Sequence, residues 1–200
     1  MRKMVAVLAL ALAVGALAIP AGAETQSAEE AIRAKLMRLP YYGVFDFLAF
    51  KYEDGTVTLK GYAYQPGLKS SAEKAVRQIA SVSNVVNEIE VLPVSINDDE
   101  LRWKVYYALY TDPFLARYAP AGGLLWGHRH RVPFGFFRPT RFPGLEPLGD
   151  YPIAIIVKNG HVTLMGVVEN EADRDIAGLK AKGVFGSFEV ENELVVNPGR

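Results

Sequence analysis

The chain has 200 residues, and its 22 lysines and arginines are balanced by 22 aspartates and glutamates. That balance excludes a nucleic-acid binder relying on a large overall positive field. Cysteine is absent, which excludes disulfides and thiolate chemistry and leaves packing alone to hold the fold.

Arg2 and Lys3 open the chain, and residues 4–19 form an uninterrupted run of apolar side chains. Pro20 breaks the run, and Ala21-Gly22-Ala23 supplies the small-residue pattern that a signal peptidase accepts. Residues 1–23 therefore read as a secretory signal peptide cleaved after Ala23. The run is shorter than the ~20 residues that a membrane span requires. The remaining chain divides into a first module, residues 24–95, and a second, residues 96–200.

The first module starts with a helix from Ser27-x-x-Glu30, with Ile32, Leu36 and Leu39 on one stripe and Pro40 as its stop. An extended run over 44–52 leads into Asp54-Gly55, a type I′ turn pair because both positions need positive φ. The alternation of Val57 and Leu59 predicts the returning strand of a hairpin. Gly61 lies near its end, where a missing side chain permits a bulge or a close helix approach, or simply terminates the strand. Ser70-x-x-Glu73 reads as a capping box for a helix whose stripe is Ala72, Val76, Ile79 and Ala80. Residues 85–92 form the closing strand.

The second module repeats this order. A helix starts at Asn97-x-x-Glu100, buries Leu101, Val105, Ala108 and Leu109, and ends at Thr111-Asp112-Pro113. After an insertion at 114–150 comes an extended run over 152–158, the turn Asn159-Gly160, and a strand marked by Val162 and Leu164. Gly166 takes the place of Gly61. Asn170-x-x-Asp173 caps a helix with the stripe Ala172, Ile176, Leu179 and Lys180, and Gly183 is placed to end it in the left-handed conformation. Residues 187–196 close the module. The segments Asp54 to Gly61 and Asn159 to Gly166, and the later pair Asn87-Glu88-Ile89-Glu90-Val91 and Asn192-Glu193-Leu194-Val195-Val196, keep one constant separation. Internal duplication is the strongest organisational signal in the chain. The predicted fold is α+β: two tandem αββαβ modules, each a three-stranded mixed sheet covered by two helices, packed on each other because each core is thin.

Little in the chain suggests chemistry. The serines lie at helix ends or in linkers, away from any nucleophile-elbow pattern, and no Gly-rich phosphate loop occurs. Asp98-Asp99-Glu100 reads as negative charge at a helix N-terminus. His128 and His130 do not fill a zinc site, which takes three or four ligands, so neither a metal nor a cofactor is expected.

The insertion holds Arg117, Arg129, Arg131, Arg138 and Arg141 among Phe114, Tyr118, Trp126, Phe134, Phe136, Phe137 and Phe142. Arginines near an anionic lipid surface contribute on the order of 1 kcal/mol each, and aromatic rings favour the interfacial zone. Trp126, Arg129, Arg131, Phe134, Phe136, Phe137, Arg138 and Arg141 are therefore the candidate lipid- or partner-contact residues. The other reading of the same loop has it fold back and bury its rings against its own module. Tyr106 and Tyr110, four apart, share one helix face that suits core-edge packing or a protein partner.

The order D/N-G turn, Val-Thr-Leu, Gly, an alanine-containing helix and then V-x-N-x-(I/L)-x-V resembles the BON domain of bacterial envelope proteins. The resemblance covers about residues 27–95 and 97–197. It implies a periplasmic, non-enzymatic envelope-maintenance role, with anionic phospholipid or the membrane surface as partner. A protein-interaction module or stress-related holdase acting on envelope polypeptides is the alternative.

Overall fold

A computed structural model describes residues 21–119, 146–148 and 152–197. Helix α1 (Ala21–Leu36) precedes the hairpin β1 (Phe47–Glu53) and β2 (Thr56–Ala63), followed by α2 (Pro66–Arg77) and β3 (Asn84–Val91). The second module comprises α3 (Ile96–Tyr110), a short β4 (Glu146–Leu148), the hairpin β5 (Ile153–Lys158) and β6 (His161–Val168), α4 (Glu171–Lys182) and β7 (Glu189–Val196). In each module the hairpin is antiparallel and the last strand lies parallel to the hairpin's second strand. Both are the expected three-stranded mixed sheets. β4 adds a fourth, antiparallel strand to the first sheet, giving the order β3-β2-β1-β4.

Turn chemistry sets the two hairpins. Asp54 and Asn159 have φ of 46° and 53°, and Gly55 and Gly160 have 77° and 78°, the left-handed pair that a type I′ turn requires. Gly61 and Gly166 have φ of 127° and 135°. A Cβ there would lie 1.9 Å from the carbonyl oxygen of Phe47 or Pro152. The close approach is therefore by the neighbouring strand's backbone rather than by a helix.

Each final strand is tied to its helix by the asparagine of the repeat. Asn87 Nδ2 donates to Lys69 O at 3.0 Å, and Asn192 Nδ2 donates to Arg174 O at 2.7 Å. Lys69 and Arg174 keep the same separation as the two asparagines, so the duplication extends to single hydrogen bonds.

Several local expectations are corrected. Helix α2 begins at Pro66, with Gln65 as its N-cap residue, so part of the presumed link is helical. Ser70 lies inside the helix and donates to Gly67 O instead of capping. Proline at the first position, with φ already helical and no N–H to orphan, explains the earlier start. Ser95 rather than Asn97 caps α3, accepting from Asp98 N at 3.2 Å. Asn170 caps α4 as expected, accepting from Asp173 N at 2.8 Å. The buried face of α4 is Asp173, Ala177, Gly178 and Ala181, whereas Ala172, Leu179 and Lys180 are exposed. Gly183 is right-handed at φ −75°.

Two cores lie between the helices and their own sheets. Ile32 and Leu36 of α1 join Leu68, Ala72 and Val76 of α2 against Leu48, Phe50, Val57 and Leu59. Leu101, Val105 and Leu109 of α3, with Ala177 and Ala181 of α4, cover Ile155, Val157, Val162 and Leu164. A third core lies between the sheets, where Phe47 and Ala49 meet Ala154, Ile156, Met165 and Val167. The result is a helix–sheet–sheet–helix stack in which each module covers the other's open sheet face. The segments ahead of the hairpins cross over as well. β4 pairs with β1, and Val44 O accepts Ile155 N of β5 at 2.8 Å, so each covers an edge of the opposite sheet.

Asp98 does more than place charge at a helix end. It is buried, and its two oxygens accept the backbone N–H groups of Asn159 and Gly160, both at 2.8 Å. Helix α3 thus grips the tip of the second hairpin. Asp98→Ala is expected to leave two turn N–H donors without their acceptor, that of Gly160 buried and that of Asn159 at the exposed tip, and to destabilise the chain by about 2 kcal/mol. Denaturant unfolding checks this, and a loss no larger than an exposed substitution on α3 gives would contradict it.

Candidate functional site

An open aromatic cleft of about 370 Å³ lies where residues 41–46 and Tyr64 of the first module face α3 of the second. Phe45 packs edge-on against Trp103, with ring centroids 5.0 Å apart, and Trp103 against Tyr106 at 5.4 Å. Tyr64 closes the other side, 6.0 Å from Phe45. Edge-to-face contacts of this kind hold rings in fixed relative orientations. Tyr106 continues to Tyr110 at 4.8 Å and to Tyr107 at 5.7 Å, so the rings run along α3 as a strip. Tyr110 is anchored by its hydroxyl, which donates to Ile153 O at 2.7 Å. Tyr106 and Tyr110 share a face, as their spacing predicts, and line the module junction.

Asp46 forms the base of the cleft. Its carboxylate accepts Tyr64 N at 2.7 Å and Gly43 N at 2.8 Å. Burial pushes its pKa up to about 6 from an ordinary 3.8, against the opposing pull of those two N–H groups and the Arg102 charge. Arg102 is itself buried. Its guanidinium pairs with Asp99, donates to Val157 O at 2.6 Å and stacks 4.8 Å from the Tyr64 ring centre. This arginine of the second module therefore lies on an aromatic ring of the first. Tyr41, on the cleft rim, has φ 74°, a left-handed conformation unusual for a tyrosine and a mark of backbone strain.

A second polar cluster pins the chain leaving α3. The Tyr118 hydroxyl donates to Asp173 at 2.7 Å and accepts Glu169 N at 2.9 Å, while Arg117 pairs with Asp173. Burial, and then the Asp173 hydrogen bond, push the Tyr118 pKa up to about 12. Leu115 and Tyr118 are buried in the second core, so residues 115–118 of the insertion pack on their own module, while Phe114 stays exposed.

The cleft can hold apolar or aromatic ligand surface and one hydrogen-bonding or cationic group. Among the described residues its lining contains no serine, cysteine or histidine. Among the described residues no group of three or more His, Cys, Asp or Glu is arranged to hold a metal ion. No described helix is long and apolar enough to cross a membrane.

Trp126, Arg129, Arg131, Phe134, Phe136, Phe137, Arg138 and Arg141 lie outside the described residues. Asp46, Tyr64, Arg102 and Trp103 were not among the residues singled out from sequence. Asp46 carries a signal nonetheless, since it is a lone charge amid apolar neighbours, Val44-Phe45-Asp46-Phe47-Leu48.

Two solved structures of CdsD, a structural protein of the type III secretion system of Chlamydia trachomatis, are similar to the chain. One, a C-terminal domain, is 15% identical, covering 84% of this chain and 96% of its own at a TM-score of 0.26. The other is 14% identical, covering 87% and 94% at a TM-score of 0.27. No curated protein matches the chain. The BON domain family model matches residues 26–93 and 146–198, together more than half of the chain. With the duplicated hairpins, helices and asparagine ties in the same two places, this chain belongs to the BON domain family.

Proposed function

We propose that the chain is a non-catalytic, envelope-associated protein that docks reversibly on anionic phospholipid from the periplasmic side. The observation that carries this reading is the outer face of α3. Trp103 and Tyr107 are each 49% exposed there, and Phe114 beyond the helix end is 62% exposed. That helix leads into the segment containing Trp126, Arg129, Arg131, Arg138 and Arg141. Aromatic rings partition into the headgroup zone, and arginine presents a planar fork of donors to phosphate oxygens. The two sheets bury their inner faces on each other, which leaves helix faces and loops as the surfaces for a ligand. The cleft's tyrosines and single carboxylate, without an imidazole or thiol, suit binding better than catalysis. A polypeptide adding to a sheet edge would meet Glu88 and Glu90 along β3, or Glu189, Glu191 and Glu193 along β7, charges that discourage strand pairing.

Vesicle flotation tests the reading. The mature chain is expected to float with phosphatidylglycerol-containing vesicles and not with pure phosphatidylcholine, and to release as salt rises. Removing residues 122–144, which spares β4, is expected to abolish binding, and Trp103→Ala with Tyr107→Ala to weaken it about tenfold. Equal binding to both vesicle types, or full binding after the deletion, would remove phospholipid as the ligand.

A further inference from the structure

The duplication supplies an internal control for every surface residue of the second module. Ser83 N donates to Gly55 O at 2.8 Å, and Phe188 N donates to Gly160 O at 2.9 Å. The two residues therefore occupy one structural position, on the loop between the second helix and the last strand, just behind the hairpin tip. In the first copy that position is polar and capped locally, since Ser83 Oγ donates to Gly55 O at 3.0 Å. In the second it is a phenylalanine, 83% exposed, whose ring lies over Gly160. Three residues earlier, Ala80 of the first copy is replaced by Phe185, 91% exposed.

Core burial does not account for either ring: both stay exposed, Phe188 resting only on the Gly160 backbone and the edge of the His161 ring at 6.4 Å among the described residues, and the same backbone hydrogen bond forms in the first copy with serine in its place. Gly186, between them, has φ 106°, and a Cβ there would meet nothing within 4 Å, so the loop crown stands clear of the body. Further apolar surface gathers at this end. Leu179 on the last turn of α4 is exposed, as is Ile96, two residues before the Asp98 that grips the Asn159-Gly160 tip. Single exposed apolar residues are ordinary, but a group at one end of a module marks an interaction surface.

We propose that the α4–β7 loop, with Phe185 and Phe188 at its crown, is a wedge that enters the interfacial zone of an anionic bilayer, and that only the second module carries one. The proposal rests on the phospholipid reading above and names a contact outside the α3 face and the arginine-rich segment. The surface is convex, and two separated rings on a projecting loop suit a deformable apolar medium better than a protein partner, which would need a pocket for each. One cation flanks the loop: Lys182 ends α4 beside it and forms no ion pair among the described residues. Lys180 is held by Asp112 at 2.9 Å, and the Glu189 that follows Phe188 is in hydrogen-bond contact with the His161 ring at 3.1 Å.

The first copy dictates the test variant. Phe185→Ala with Phe188→Ser installs the residues that the same fold already carries at these positions, so the thermal midpoint should not change. Binding of that full-length variant to phosphatidylglycerol-containing vesicles is expected to weaken by about tenfold or more. The absence of cysteine allows a site-specific readout. A polarity-sensitive dye on Phe185→Cys should shift to the blue on adding those vesicles and be quenched by lipids brominated in the acyl chain. The same dye on Ser83→Cys should not respond. If the wild-type chain floats and the double variant floats equally, with a silent dye at position 185, the wedge is overturned and the phospholipid reading stands. If the wild-type chain does not bind the vesicles, both fall together.

Discussion

Replacing Gly166 with alanine is expected to cost about 4 kcal/mol or more, enough to unfold a module of marginal stability. Two effects add. The residue sits at φ 135°, which a side chain rarely adopts, and its Cβ would lie 1.9 Å from the Pro152 carbonyl oxygen. That oxygen cannot retreat, because it accepts Val167 N at 2.7 Å. A backbone atom gives way only by breaking the hairpin, and β5 and β6 carry both the second helix core and half of the inter-sheet core. Gly61→Ala, with φ 127° and the Phe47 oxygen at 1.9 Å, should do the same to the first module. Gly183→Ala is the control. With φ −75° and its nearest neighbour 3.5 Å from a Cβ, it should be neutral or stabilise by a few tenths of a kcal/mol. Thermal unfolding of the three variants checks the contrast. A Gly166→Ala midpoint close to that of Gly183→Ala would mean the strand can move aside.

The same hairpins show what could be read in advance. Asp54-Gly55, Asn159-Gly160 and the flanking alternation specify local backbone geometry, and local geometry is legible because few other residues satisfy it. The face of α4 was not. Its exposed Leu179 outranks Ala177 and Ala181 on any hydrophobicity scale, yet the helix packs closely through small residues, with Gly178 against Asn192. The constant separation of the hairpins, carried onto the helix, places Ala177 and Ala181 opposite Ala72 and Val76, so the repeat held the correction that the apolar stripe obscured. The roles of Asp98 and Arg102 were beyond reach for another reason: Asn159, Gly160 and Val157, which they hold, are distant in the chain. A carboxylate at a helix start reads as a dipole effect until the fold brings the Asn159-Gly160 turn onto it. The pairing of β4 with β1 is likewise tertiary, joining an apolar–proline segment to an edge that no local pattern names.

Arg102 and Asp46 make the junction between the modules sensitive to pH, and the sign follows from the carboxyl. Asp46 has a folded pKa of about 6 against an ordinary 3.8, so the folded chain holds this proton more tightly than the unfolded one. Its contribution is therefore fully favourable below pH ~4 and is lost as pH rises through 6, a swing of roughly 3 kcal/mol. Arg102 moderates that loss because its charge favours the ionised carboxylate. Arg102→Met removes that charge, the donor to Val157 O, and the cation stacked on Tyr64. At pH 7 it also removes the nearby charge that favours the ionised Asp46 carboxylate, so the expected cost exceeds that at pH 5. At pH 5 Asp46 is mostly protonated, and the cost should fall to what the lost hydrogen bond and stacking supply, about 2 kcal/mol. Asp46→Asn should flatten the wild-type slope between pH 4 and 7, and in the Arg102→Met background it should erase the difference between the two pH values. Urea unfolding at both pH values gives all four corners of this cycle. An Arg102→Met penalty equal at pH 5 and pH 7 would show that the guanidinium serves Val157 and Tyr64 alone, with no hold on the carboxylate across the junction.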